Sequence, residues 1–283
     1  MALVTMTEML KEALEQHYAV GAFNIVEYSS MKAVVQAAEE LKSPVIVQTS
    51  VKTVKYWGAS TIVCWMREIA KDSPVPVALH LDHCREVDFV KECIDAGWTS
   101  VMYDGSAKPY EQNLADTIEV AKMAEAAGVS VEAELGKIVG VEDDIVVKGD
   151  QSSLADPDEA IAFCEEVKLA AFAPAIGTAH GVYKGKPRIA FDRIEEIANR
   201  SGVPLALHGG TGLEDEVFHR CIELGCAKVN ISTMIKHVFI DGFVDYHNAN
   251  KDYEPLKPLG AQFELMKTEI VAKIKLFGSQ GRI

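Results

Sequence analysis

Three histidines in this chain stand where apolar runs give out. His83 follows Val77-Ala78-Leu79-His80-Leu81-Asp82, and His208 closes Val203-Pro204-Leu205-Ala206-Leu207. His180 comes shortly after Ala170-Ala171-Phe172-Ala173-Pro174-Ala175-Ile176-Gly177. Short, nearly continuous apolar runs mark buried parallel strands. Open α/β sheets and barrels both gather their chemistry at the C-terminal edge of such strands. Three neutral imidazoles suit a borderline-soft divalent ion such as zinc, with a fourth position open to substrate oxygens. A carboxylic acid, Asp82, stands beside the first of them.

Further polar residues occupy other strand tips: Asn24, Ser50, Asp104, Glu134 and Asn230. Each has a plainer reading when taken singly. A histidine after an apolar strand is more often a hydrogen-bonded rim residue, and Ser50 or Asn230 can simply cap a helix. Their conjunction points to one functional face. His80 alternates with Leu79 and Leu81 and reads as structural; His17, His219, His237 and His247 read as helix residues at the surface or in packing. Cys84 could be a further ligand, but a thiol there reads first as packing.

A second constellation would suit an anion. His208-Gly209-Gly210-Thr211-Gly212 precedes a helix near Leu213, and Asn230-Ile231-Ser232-Thr233 precedes another. Glycines let backbone amides approach a phosphate, and a helix N-terminus adds partial positive charge. The loops after the seventh and eighth strands of a barrel are a common place for phosphate.

The elements that must position these residues alternate throughout. A helix within Met1–Tyr18 is followed by a strand over Ala19–Asn24 and a helix over Ser29–Leu41, capped by Ser29 or Ser30. Strands at 45–50, 77–83, 100–103 and 130–134 alternate with helices near 59–71, 87–96 and 110–127; Gly97 and Gly128 end two of the helices. Glu132 and Glu134 share one side of their strand. Residues 136–154 read as a long irregular segment, the kind that often serves as a lid. Asp156-Pro157 opens the next helix, to Val167. Two more strand–helix units follow the strand leading to His180, and a tail helix covers about 261–276. Eight strands, each with its helix, favour a (β/α)8 TIM barrel with an N-terminal cap helix and a C-terminal helix, one domain over 1–283. A doubly wound open sheet is the alternative.

The composition, 48% hydrophobic and 25% charged over 283 residues, is that of a globular protein with ample core. The net charge of −14, with no long Lys/Arg cluster, argues against nucleic acid, and an anionic ligand would need local help. Six cysteines without paired spacing argue for a reducing compartment. The N-terminus, interrupted by charges, reads as neither a signal peptide nor a membrane span. These features point to the cytoplasm.

Four blocks carry a resemblance: Leu79-His80-Leu81-Asp82-His83, Val131-Glu132-Ala133-Glu134-Leu135-Gly136, Gly177-Thr178-Ala179-His180-Gly181 and Lys228-Val229-Asn230-Ile231. In this order, at strand ends across nearly the whole chain, they resemble the class II, metal-dependent ketose-bisphosphate aldolases, which include fructose- and tagatose-bisphosphate aldolases. The resemblance implies one zinc per subunit on His83, His180 and His208. It implies Asp82 as the acid/base for the C4 hydroxyl proton and Glu142 as the loop residue exchanging the proton on the dihydroxyacetone phosphate carbon. Asp104 and Glu134 match acidic residues around the metal. Asn24, Ser50, Gly181, Gly209, Gly210, Thr211 and Asn230, Ile231, Ser232 and Thr233 match positions that bind the phosphorylated ketone. A monovalent cation (Na+ or K+) near Gly181 and Gly209 and a homodimer or homotetramer are family habits.

The chain departs from that pattern in several places. Cys84 stands where glycine, histidine or serine is more usual. Thr211 replaces a common serine while keeping its hydroxyl, and Val139-Gly140 replaces a Gly-Gly pair. Leu256, within Tyr253-Glu254-Pro255-Leu256, stands where the family often has an arginine for the phosphate of the aldehyde half. Lys257 could substitute only as a point charge. A ketose 1-phosphate without the second phosphate is therefore an alternative substrate. Other zinc-dependent sugar-phosphate enzymes on this scaffold, such as an epimerase or hydrolase, and an idle binding protein are the competing functions.

Overall fold

The computed structural model describes residues 3–142, 145–147, 153–181, 183, 185, 187–251 and 253–283. Its strands are β1 (Val20–Asn24), β2 (Val45–Ser50), β3 (Val77–Cys84), β4 (Ser100–Tyr103), β5 (Ser130–Leu135), β6 (Val139–Glu142), β7 (Ile145–Val147), β8 (Ala171–Pro174), β9 (Ala179–His180), β10 (Leu205–Leu207) and β11 (Cys226–Ile231). Eight of them close a parallel barrel in the order β1-β11-β10-β8-β5-β4-β3-β2. β1 pairs with β11 on one side and β2 on the other, which excludes the open sheet.

Two apolar layers follow from the two-residue period of the strands. Outward residues such as Val47, Leu79, Leu81, Val101 and Val229 pack under the surrounding helices. Inward residues at the base are mostly small, among them Ala22, Ala78, Ala171, Ala206 and Ala227, beside Val20 and Ile46. Helix α1 (Thr7–Glu15) plugs that base, with Met6, Met9 and Leu10 buried against them. The inward positions nearer the top are polar, so the base supplies packing and the top is free for chemistry.

The remaining helices are α2 (Tyr28–Leu41), α3 (Val51–Trp57), α4 (Ala59–Ala70), α5 (Val87–Ala96), α6 (Tyr110–Ala127), α7 (Pro157–Glu166), α8 (Phe191–Ser201), α9 (Asp215–Glu223), α10 (Thr233–Asn250) and α11 (Leu256–Leu276). Gly97 and Gly128 end α5 and α6 in the left-handed conformation, and Asp156 caps α7, all as expected. Four details differ. The cap of α2 is Glu27, whose carboxylate accepts from the Ser29 and Ser30 amides at 2.7 and 2.9 Å, while Ser30 Oγ accepts from the Glu27 amide at 2.9 Å. Helix α3 occupies a stretch given no element. His17 lies past the end of α1, at φ 53°, and not on a helix. The segment 136–154 is not structureless: β6 and β7 pair as an antiparallel hairpin, and β6 adds β9 in parallel.

Candidate metal centre and active site

Strand β3 delivers the first two functional residues by breaking its own alternation. His80 and Asp82 face the lumen, so His83 should face the outer helices. Instead His83 takes φ 48°, and the pairing with β4 slips between Leu81 and Cys84. The slip turns the His83 ring inward beside Asp82. A left-handed non-glycine residue costs on the order of 1–3 kcal/mol and persists only where its surroundings fix it. Cys84 then faces the outer core, where burial pushes its thiol up to about 11; it packs and does not join the site.

His83, His180 from β9 and His208 at the end of β10 converge at the barrel mouth. Ring centroids of His83 lie 4.9 Å from His180 and 4.7 Å from His208, and ligand atoms of all three fall within 4.8 Å of one another. The outward nitrogens of two rings are already engaged. His208 Nε2 is 2.7 Å from Glu132 Oε1, and His83 Nδ1 is 3.4 Å from Asp104 Oδ2. A carboxylate accepts, so each of these nitrogens is the N–H donor. That leaves His208 Nδ1 and His83 Nε2 as lone pairs facing each other at 2.9 Å. Two acceptors at that distance need a proton or a metal ion between them. The donor set therefore fits a divalent metal ion.

Electrostatics agree. Burial, helped by the neighbouring His83, holds His180 and His208 well below the ordinary histidine range, as neutral ligands. Burial also opposes charge on His83, but Asp82, Asp104 and Glu134 outweigh it and lift His83 well above that range. The protein thus provides for positive charge at this point. Asp104, despite burial, is held well below the usual carboxylate range by His83 and Arg85. Burial and the adjacent Asp104 push Glu134 well above it.

Asp82 is clamped from both sides. Asn24 Nδ2 donates to Oδ2 at 2.9 Å and Asn230 Nδ2 to Oδ1 at 3.3 Å. Each amide is itself aimed from below: Gln48 Nε2 donates to Asn24 Oδ1 at 2.6 Å, and Lys228 Nζ to Asn230 Oδ1 at 2.6 Å. Lys228 also pairs with Glu132 at 2.9 Å, both fully buried. His80 Nδ1 sits 2.7 Å from Ser100 Oγ, in keeping with its structural reading. Gln48, Lys228 and the role of Glu132 were missed from sequence. Their signal was the one that singled out His80, a polar residue at an inward position of an apolar strand.

A small cleft opens over these groups, lined by Asn24, Asp82 and the three histidines. Gly181, Gly209, Gly210, Thr211, Asn230, Ser232 and Thr233 complete its lining. Ser232 Oγ is buried without a hydrogen-bond partner among the described residues, at the N-terminus of α10, which no side chain caps. Thr211 Oγ1 accepts from the Met234 amide at 3.3 Å and ties the two loops together. The Ile231 side chain lies in the outer core. Ser50 caps α3 through the Thr53 amide at 3.3 Å and does not line this cleft. The Gly209 carbonyl accepts from Tyr183 Oη at 2.7 Å. Glu142 lies at the end of β6, its backbone opposite Ile145. Leu256 and Lys257 open α11, away from the cleft lining.

The small sheet bears directly on His180. Gly140 of β6 pairs with it at φ 115°, and a Cβ on Gly140 would meet the His180 carbonyl oxygen at 2.1 Å. Only glycine permits that approach.

Comparison with known proteins agrees with this geometry. The family described as fructose-bisphosphate aldolase class-II matches residues 4–282. The fructose-bisphosphate aldolase of Geobacillus stearothermophilus is 42% identical over 100% of this chain and 99% of its own. The sulfofructosephosphate aldolase of Alkalicoccus urumqiensis is 38% identical over 100% and 99%. Among solved structures, the YdjI aldolase from Escherichia coli K12 superposes with TM-score 0.88 at 31% identity, covering 99% of each chain. The (β/α)8 barrel, the three converging histidines and these matches agree: the chain belongs to the class-II fructose-bisphosphate aldolase family and is a lyase of the aldolase type.

Proposed function

We propose that this protein is a zinc-dependent aldolase that reversibly cleaves a ketose phosphate into dihydroxyacetone phosphate and an aldehyde. The observation that carries the reading is the convergence of three buried imidazoles, their ligand atoms within 4.8 Å of one another, beside a clamped Asp82. His83, His180 and His208 would hold the ion. When bound, it supplies Lewis-acid stabilisation of the negative charge left as the carbon–carbon bond breaks.

The chain's own residues do the rest. Asp82, its oxygens oriented by Asn24 and Asn230, takes the proton from the C4 hydroxyl. The C3–C4 bond breaks, the C4 oxygen becomes the aldehyde, and the electron pair passes into the enediolate of dihydroxyacetone phosphate. Glu142 returns a proton to C3, and in the synthetic direction removes it. The amides of Gly209 and Gly210, the N-terminus of α10 and the buried Ser232 hydroxyl suit the phosphate of the ketone half. The apolar stripes left exposed on α10 (Ile240, Phe243, Val244) and α11 (Leu259, Leu265) support a homodimer closed across these helices. Six free cysteines support a reducing, cytoplasmic setting, and no helix among the described residues is long and apolar enough to cross a membrane.

The relatives' names bracket two kinds of aldehyde end, one phosphorylated and one sulfonated. The test is release of dihydroxyacetone phosphate by zinc-loaded protein from a panel of ketoses. The panel contains 1,6-bisphosphates of both C4 configurations, the 1-phosphate, and a 6-sulfo 1-phosphate. Cleavage should vanish on chelation and return with zinc, and Asp82→Ala should keep the metal while losing about 10²–10⁴-fold in rate. Cleavage that survives exhaustive chelation would sink the proposal.

A further inference from the structure

His180 and His208 come from elements that share no ladder: β9 belongs to the small sheet and β10 to the barrel. Their ends nonetheless touch. Gly209 takes φ 69°, and a Cβ on it would meet the Ala179 carbonyl oxygen at 2.4 Å, an approach that only glycine permits. One side chain joins the two ends. Tyr183 Oη accepts from the Ala179 amide at 3.0 Å and donates its only proton to the Gly209 carbonyl at 2.7 Å. Ala179 immediately precedes one of the converging histidines, and Gly209 immediately follows another. Gly209 also lines the cleft, in the loop that suits phosphate. The Tyr183 ring packs against the apolar core, which gives its hydroxyl a fixed base.

We propose that Tyr183 is a positioning residue whose hydroxyl holds His180, His208 and the phosphate loop in one register. It acts through the two backbones and touches neither the metal nor the substrate. Ligand groups must be held within about 0.5 Å of their working geometry, and here a single oxygen sets the spacing of two of them. Phenylalanine at this position would keep the ring and its packing. It would leave the Ala179 amide and the Gly209 carbonyl without their shared partner, so the two loops could part. Because one hydroxyl bears on both loops, its loss weakens the metal and the anion together. The inference rests on the reading that the imidazoles hold a metal ion and the glycine loop a phosphate.

Two titrations of the metal-free protein test this: cobalt, followed by visible absorption, and inorganic phosphate, followed by calorimetry. Tyr183→Phe should bind cobalt about tenfold more weakly than the wild type, the lower end of what losing an orienting group costs. Its visible bands should differ at saturating cobalt, and its phosphate affinity should fall by a similar factor. A third measurement needs no variant. Phosphate added to the metal-free wild type should slow hydrogen exchange of the Ala179 amide, which lies on the opposite loop. Wild-type bands and cobalt affinity in Tyr183→Phe would overturn the proposal. So would loss of one ligand without the other, or Ala179 exchange that phosphate leaves unchanged. A wild type that binds no cobalt, or no phosphate, would overturn the underlying reading of the site instead.

Discussion

Lys228 is the residue on which most of the site's orientation converges. Its ammonium, sealed under the barrel mouth, holds Glu132 on one side and turns the Asn230 amide on the other. Glu132 in turn fixes the tautomer of His208, an outer partner of the kind whose loss weakens metal affinity about 10–100-fold. Glu132→Gln should therefore lose metal by roughly that factor in a chelator competition, with the fold intact. Lys228→Met alone leaves a carboxylate buried without its cation, which costs about 3–5 kcal/mol. The double variant Lys228→Met/Glu132→Gln should recover most of that stability and none of the metal affinity, as denaturation and competition titrations would show. Protons act on the same cluster. His80, His180 and His208 have folded values below the ordinary 6.5, so the unfolded chain binds more protons than the folded one as pH falls through that value. Each contributes stability above about pH 6.5 that is lost below it. Glu134, whose folded value lies above the ordinary 4.5, works the other way by one proton down to that pH. His83, raised above 6.5, contributes stability below that value and gives it up only as pH rises. Three protons outweigh one, so the denaturation midpoint of metal-free protein should fall from pH 6.5 to pH 5. A flat or rising midpoint would contradict the balance.

Among the elements, the β6–β7–β9 sheet decides how His180 is aimed. Gly140→Ala forces a methyl against the His180 carbonyl at a backbone angle that alanine resists. This sheet stands outside the barrel, so that variant should keep its circular dichroism while losing metal affinity and cleavage at least tenfold. Unchanged affinity would detach the sheet from the site. The same segment marks a limit of the sequence. Gly136, Gly140 and Gly149 read as loop punctuation and masked the β-branched pairs Val139/Val141 and Ile145–Val147, which favour strands. Helix α3 was invisible because it begins where β2 ends, with Ser50 serving both. Glu27 is not among the residue types that usually cap helices, so the start of α2 was read at its serines. The barrel strands were legible because buried parallel strands are largely apolar, and so were the tips that carry Asp82, His83 and His208. Left-handed geometry at His83 was not legible; alternation alone would have sent that ring outward.

For the molecule as a whole, acidity and function pull in opposite directions. A net charge of −14 repels phosphorylated sugars at long range, so capture depends on what the mouth offers locally. The exposed apolar residues of α10 and α11, with Ile240 57% accessible, are the surface that a second copy would cover in the proposed dimer. Light scattering should give twice the chain mass, and Ile240→Glu with Val244→Glu should give the monomer. A wild-type monomer would remove the proposed dimer. The neighbours Asp82 and His83 have one more consequence. Barrels breathe, and groups contributed by different strands drift relative to one another as they do. The proton carrier and a metal ligand are here joined by a single peptide link, with alpha carbons about 3.8 Å apart. The separation of their alpha carbons is a property of covalent bonds rather than of packing, while packing decides where the two side chains point.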